Sequence, residues 1–409
     1  MLNILKENYG LYMKIGLIGF GQAGGKVADQ LVEYAVGTDS EIIVDAVAIN
    51  TAKADLMGLE NIPDEKRVLI GQDRVKGHGV GADNELGSEI AEQDIQEIQN
   101  SIDGFATHEI EAFVIVTALG GGTGSGGSPV LAKHLKRIYE EPVYGVGILP
   151  SNSEGSIYSL NAARSFQTFV EEIDSLITFD NETWKQSGES VGQGYESMND
   201  ELIRRLGLLL SAGQINEESG TVGESVVDSS EIINTLGERG ISSIGYASET
   251  VQTKDKGLLD RFRSSSNDEI DDGQKTNRMT SLARKAALSR LTLECNVDSV
   301  ERALVMFAGP PDHLSRKGIE RSRKWIEEET GSMEVRGGDY PIPGSDKVAC
   351  VILFAGVTDA DRIKEMQQIA IEAQDSIDEI KQESEDNLDD LLQTEEMSDD
   401  TQDDIDPLF

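Results

Sequence analysis

Residues 118–129 read ALGGGTGSGGSP: six glycines, one Thr and two Ser between an apolar run, AFVIVT (112–117), and a helix-like run, PVLAKHLKRIY (129–139). Glycine at this density lets backbone N–H groups turn inward and approach a ligand closely. A helix start adds free N–H donors and a partial positive charge. Together they form an anion cradle suited to phosphate. A plain flexible turn is the competing reading, but turns seldom need so many glycines. The loop has no Lys where a Walker sequence requires one, so any phosphate there is held by backbone and hydroxyls.

Outward from this loop, short apolar runs alternate with helical patterns: KIGLIGF, EIIVDAVAI, AFVIVTA, PVYGVGIL and SLITF, with helices expected near residues 24–34, after Gly126, and over GSIYSLNAARSFQTFVEEI. That alternation predicts a parallel sheet covered on both faces, with ligands at the carboxyl ends of its strands. A long helix is expected over 194–212, with Leu202, Leu206, Leu209 and Leu210 at helical spacing. A second segment follows, with strands near ISSIGYA, ALVMFAG and VACVILFAGV and helices near 276–291, 312–329 and from 359. The expected fold class is α/β: a parallel-sheet nucleotide-binding domain, a long central helix, a second α/β domain and an acidic disordered tail. The expected boundaries are an extension at 1–12, a first domain at 13–213, a second at 214–372 and the tail at 373–409. Met13 is itself a candidate start.

The chain has 409 residues and a net charge of −39, with 75 acidic against 36 basic residues. Such a balance argues against duplex DNA or anionic lipid as a direct partner. Because the excess runs beyond the tail, it suggests a cytosol of very high salt, where repulsion is screened within a few ångströms. No apolar run is long enough to span a bilayer. Cys295 and Cys350 lie in or beside apolar runs, as buried thiols in a reducing compartment would. The four His have no metal-ligand spacing, and His78 reads as a loop side chain.

Two further glycine loops accompany the first: GFGQAGGK (19–26) and GHGVGADNE (77–85). Gly19-x-Gly21-x-x-Gly24 fits a dinucleotide fingerprint, but the second strand ends in Asn50, not in the acid that would hold a ribose. Three glycine loops suit a nucleoside triphosphate better, and a dehydrogenase is set aside.

With GGGTGSG at 120–126 the chain resembles the tubulin and FtsZ superfamily, over roughly residues 13–356, and within it the CetZ group of salt-loving archaea. The resemblance implies a GTPase that forms head-to-tail protofilaments, uses GTP or GDP with Mg²⁺, and hydrolyses GTP at the subunit junction. It implies a cytoplasmic role near the envelope in cell shape, self-association, and a cortical adaptor on the tail. It assigns Gly21, Gln22, Ala23 and Gly24 to the first phosphate loop and Asn50 to the second. Gly81, Ala82 and Asp83 face the γ-phosphate, and Gly121, Gly122, Thr123, Gly124 and Ser125 form the signature loop. Glu154 falls at the ribose, Asn181 at the guanine edge, and Tyr195 and Asn199 at the base. From the residues alone, Tyr195 is equally a partial core residue and Asn199 a surface one. As an i, i+4 pair they share a helix face.

The resemblance makes Asp228 and Glu231, in SVVDSSEII (225–233), the acids that orient the attacking water in the next subunit. The residues by themselves favour a helix cap, D-x-x-E before an apolar run. Val226 stands where the cell-division relatives carry Asn. A scaffold that binds GTP and hydrolyses little is therefore the alternative. No metal ligand is assigned. One helix is expected after the last strand, where tubulins carry two, so motor partners of the microtubule type are not expected. The terminal IDPLF is either a docking peptide or the end of a solubilising tail.

Overall fold

The computed structural model describes residues 12–185, 191–214, 225, 227–237, 240–251 and 272–372, with only the backbone of 191–193. Residues 1–11 of the expected extension at 1–12, Val226, most of the polar loop at 248–277, and the tail with IDPLF lie outside the described residues.

Among the described residues ten strands form one sheet: β1 (Ile15–Phe20), β2 (Ile43–Asn50), β3 (Arg67–Leu69), β4 (Ala112–Ala118), β5 (Val143–Leu149), β6 (Ser175–Asp180), β7 (Ile241–Thr250), β8 (Arg302–Gly309), β9 (Glu334–Pro341) and β10 (Lys347–Val357). Their order is β3-β2-β1-β4-β5-β6-β7-β10-β8-β9. The pairs among β1–β6 are all parallel, as the alternation predicts. In the second half β10 runs antiparallel to both β7 and β8, while β8 and β9 are parallel. A single short parallel pairing, Leu176–Ile241 and Ile177–Ser242, joins the halves.

The helices are α1 (Gly21–Gly37), α2 (Lys53–Met57), α3 (Gln72–Val75), α4 (Asn84–Gln93), α5 (Ile95–Ile102), α6 (Thr123–Ile138), α7 (Ser156–Glu172), α8 (Asn181–Trp184), α9 (Val191–Leu210), α10 (Ser229–Leu236), α11 (Asp272–Leu288) and α12 (Arg316–Thr330). A further helix covers residues 361–372. Three of these starts correct the expectations above. Helix α1 begins at Gly21, directly off the strand, not at 24. Helix α6 begins inside the glycine loop at Thr123, not after Gly126. The central helix α9 begins at Val191 and ends at Leu210, not at 194 and 212.

Side chains alternate across β4. Val114 and Val116 join one core with Val27, Leu31, Leu202 and Leu206. Phe113 and Ile115 join the other with Ile90, Leu131, Leu135 and Phe169. Period-2 patterning buried on both faces is what a helix-covered sheet requires. Leu202, Leu206 and Leu209 of α9 share their core with Leu304 and Met306 of β8 and Leu353 of β10, so the central helix binds the two halves together. Both cysteines are free; Cys350 is buried and Cys295 partly so.

Candidate functional site

Register brings the loops together. Phe20 pairs with Ile49 and Thr117, Ala118 with Ile148, and Leu149 with Asp180. Five parallel strands thus end level, and every assigned glycine loop leaves from this rim. Neighbouring strands lie ~4.8 Å apart, so the rim from β2 to β6 spans roughly 19 Å.

Its left half is built from helix N-termini pressed together. Gly21 has φ +75, and a Cβ there would stand 2.9 Å from the amide nitrogen of Gly124. A Cβ on Gly122 would stand 2.5 Å from Gly81 O and 3.0 Å from Asp83 N. The starts of α1, α4 and α6 therefore meet at one place, each adding unpaired N–H donors and positive potential. Beside Gly81 and Gly121 a Cβ would meet nothing within 4 Å, so open space adjoins this cluster. That is the shape an anion cradle needs.

Several assigned side chains are engaged within the rim. Gln22 Nε2 donates to Asp55 Oδ1 at 2.9 Å, and Asn50 Nδ2 to Asp55 Oδ2 at 3.1 Å. Asn50, 3% exposed, accepts from the backbone N–H of Thr51 and Ala52. The Thr123 hydroxyl lies 2.6 Å from that of Thr51, and the Ser125 hydroxyl donates to Gly121 O. Asp83 caps α4, accepting from Leu86 N at 2.9 Å. Ala82 offers its carbonyl to a residue that sequence reasoning missed. Asn161 of α7, 2% exposed, donates from Nδ2 to Ala82 O at 2.6 Å and reaches Gly120 O and Gly121 O at 3.2 Å. It staples two glycine loops. Its partners are backbone carbonyls, so no side-chain pattern pointed to it. Backbone bonds Lys53 N to Gly77 O and Gly79 N to Thr51 O tie the third loop to the second. His78 is exposed on that loop, as expected.

The right half joins residues from three elements. Glu154 Oε1 accepts from Ser151 N at 2.7 Å and from Asn181 Nδ2 at 3.4 Å. The Tyr195 hydroxyl bonds Glu154; burial and that neighbouring carboxylate push the phenol up to about 12. Asn199 stands one turn beyond Tyr195, half-buried. Glu154, Asn181 and Tyr195 thus converge, although 41 residues separate the first from the last.

Asp228 and Glu231 are elsewhere. Asp228 caps α10, accepting from Glu231 N at 3.1 Å, as the cap reading expected. Ser229, first in α10, donates to Glu111 at 2.7 Å. Glu111 precedes β4, while the signature loop follows it. Seven residues of strand rise roughly 20 Å, so the acids lie at the opposite pole from their own subunit's glycine loops. Glu231 is half-exposed and pairs with Arg336 of β9, Nε to Oε2 at 2.9 Å. It lines a cavity of about 360 Å³ with Arg336, Arg323 and Glu334.

A parallel sheet carrying three glycine-bounded helix starts on one rim, continued through a central helix into a mixed half, is the architecture of the tubulin and FtsZ GTPases. The Tubulin/FtsZ family GTPase domain matches residues 14–189, and the tubulin-like CetZ C-terminal domain matches 188–372. The chain belongs to the tubulin-like CetZ family. It is 63% identical to the tubulin-like protein CetZ1 of Haloferax volcanii, over 90% of this chain and 95% of that one. It is 31% identical to CetZ of Pyrococcus abyssi, over 87% and 88%. Among solved structures it superposes on the GDP-bound CetZ1 monomer of Haloferax volcanii with a TM-score of 0.79 at 61% identity, covering 88% of this chain and all of that one. The GTPγS-bound protofilament of CetZ2 from the same organism matches with a TM-score of 0.78 at 44% identity, over 90% and 100%.

Proposed function

We propose that this chain binds GTP and GDP along the glycine rim, assembles head to tail into protofilaments, and hydrolyses GTP where one subunit's acids meet the next subunit's nucleotide. Residues 13–213 act as the GTP-binding domain and 214–372 as the activating one. Phosphates sit against Gly21–Gly24, Gly81–Asp83 and Gly121–Ser125, held mainly by backbone N–H groups. Thr123 and Ser125 turn their hydroxyls to phosphate oxygens on binding. The ribose lies by Glu154 and the base between Tyr195, Asn181 and Asn199, whose amides match the donor and acceptor edge of guanine. Mg²⁺, if bound with the nucleotide, would supply positive charge against its phosphates, and no side chain of this chain is assigned to hold it.

The observation that carries this reading is the separation of the poles. Glu231 and Asp228 stand a strand's length from their own rim, so a monomer holds GTP without a water-orienting carboxylate. Stacking closes the site, and Glu231, with Asp228 beside it, orients water for in-line attack. The CetZ2 protofilament supports head-to-tail assembly, and the GDP-bound CetZ1 supports guanine nucleotide as the ligand. Among the described residues no helix is long and apolar enough to cross a membrane. We place the polymer in the cytoplasm near the envelope, acting on cell shape, with a cortical adaptor on the acidic C-terminal segment.

Phosphate release measured against protein concentration, in molar potassium chloride, tests the mechanism. Specific activity should rise with concentration; a flat profile down to dilute monomer contradicts it. Nucleotide extracted from the purified protein should be GTP or GDP. The second reading, a GTP-binding scaffold with little hydrolysis, is favoured by the engagement of both acids within the subunit, Asp228 as a cap and Glu231 with Arg336. Polymer that forms without phosphate release would decide for it.

A further inference from the structure

The helix at 361–372 follows β10, the last strand of the second half, yet its Arg362 is 8% exposed and reaches into the nucleotide rim. Nη2 donates to Pro150 O at 2.7 Å, Nη1 to Asn152 Oδ1 at 2.8 Å, and Nε stands 3.3 Å from Asp180 Oδ1. Nη1 also donates to Glu365 on its own helix at 2.5 Å.

Two distant acceptors, Pro150 O and Asn152 Oδ1, and the ion-paired Asp180 frame the right half of the rim. Pro150 and Asn152 open the turn that carries Glu154, and Asp180 immediately precedes Asn181. The two corners are also tied directly, Asn152 N donating to Glu182 Oε2 at 2.8 Å. Asp180 in turn caps α8, accepting from Glu182 N at 3.2 Å and from the Thr183 hydroxyl at 2.8 Å. A planar guanidinium can serve several acceptors at fixed angles, which an ammonium cannot. A buried cation is tolerated only when so paired, and removing it leaves its partners buried and unmatched. Burial already pushes the Asp180 carboxyl up, against the Thr183 hydroxyl and Arg362, which hold it down.

We propose that Arg362 is a positioning residue for guanine and ribose recognition, locking the 150–154 turn to the Asp180–Asn181 corner. Docking of the last helix then sets the affinity and base selectivity of the rim. The inference rests on the proposed GTP site, and the unsubstituted chain separates the two: if it binds no guanine nucleotide, the site reading fails first and this one with it.

The test uses the full chain in molar potassium chloride. Melting temperature, dissociation constants for GTP and for ITP (which lacks the 2-amino group), and turnover at saturating GTP are measured for Arg362→Ala, Arg362→Lys and Glu365→Gln. Arg362→Ala should bind GTP about tenfold more weakly, the loss expected for hydrogen bonds to a buried charged group. ITP binding should fall less, so selectivity drops, while turnover at saturation stays near wild type. Arg362→Lys should fall between, and Glu365→Gln should match wild type. If Arg362→Ala does not fold, Arg362→Lys carries the test. Either arginine variant, folded but with wild-type GTP affinity and GTP:ITP ratio, would overturn the proposal and leave Arg362 a helix-docking residue.

Discussion

The two ends of β4 are built by different means. Beyond Ala118 the structure is backbone against backbone: a Cβ on Gly24 would lie 2.1 Å from Val116 O, and one on Gly126 would lie 2.1 Å from Asn84 O. Before Ala112 side chains make the contacts: Glu111 with Ser229, Asp228 with the backbone of its own helix start, Glu231 with Arg336. Close backbone packing leaves no freedom, so the glycine pole is preorganised for its ligand. A half-exposed ion pair is worth only about 0–1 kcal/mol. On the proposed mechanism Glu231 would exchange Arg336 for a new task at little cost when a neighbouring subunit arrives. On that reading one pole binds in the monomer and the other acts only on assembly.

The strongest test of that division is Glu231→Ala. It should bind GTP normally and slow turnover by about 10²–10⁴, the range for a positioned acid–base group. Its polymers should persist. Mixing it with subunits that keep Glu231 but carry Gly122→Val in the phosphate loop should restore phosphate release. If mixing restores nothing, the acids do not act across a junction, and the contrast between the poles loses its functional meaning.

A smaller effect is expected from Asn199→Ala, on the binding side. Losing a buried hydrogen bond to guanine costs about 1–3 kcal/mol, so the GTP dissociation constant should rise about tenfold. Its melting temperature should stay put, since Asn199 is only half-buried. Unchanged affinity in a titration would remove the base from this end of α9.

The finest test separates the two roles of Asp228. Asparagine caps a helix as well as aspartate does, so Asp228→Asn should keep stability, whereas Asp228→Ala should lose about 1 kcal/mol. Both should slow turnover if the carboxylate helps Glu231 hold water. Wild-type turnover in Asp228→Asn would make Asp228 a cap alone and leave catalysis to Glu231.

Much of the glycine pole was legible because its signals are local. Each loop announces itself by composition, each follows an apolar run, and Tyr195 and Asn199 share a face by spacing alone. The acids were legible as a motif, but their distance from the rim only through the family resemblance. Strand β9 was missed. Its sequence, EVRGGDYP, has two adjacent glycines and few apolar residues, a weak strand on propensity. It forms because β8 offers a parallel template along its whole length. Asn161 was missed for a related reason, its partners being backbone carbonyls; Arg362 was missed because Pro150, Asn152 and Asp180 lie 182 to 212 residues before it in the chain.

The sequence by itself determined the parallel half of the sheet, the three glycine loops, the cap at Asp228 and the net charge of −39. These are written in periodicity, glycine content and composition, all read within a short window. Tertiary structure alone decided that five strand ends lie level, that α1, α4 and α6 start at one point, and that Glu231 faces away from all of them. It also decided that a residue from the last helix braces the first half's rim. Every residue carries a carbonyl and an N–H, so a sequence does not mark which of them a distant side chain will find; only the packed register does.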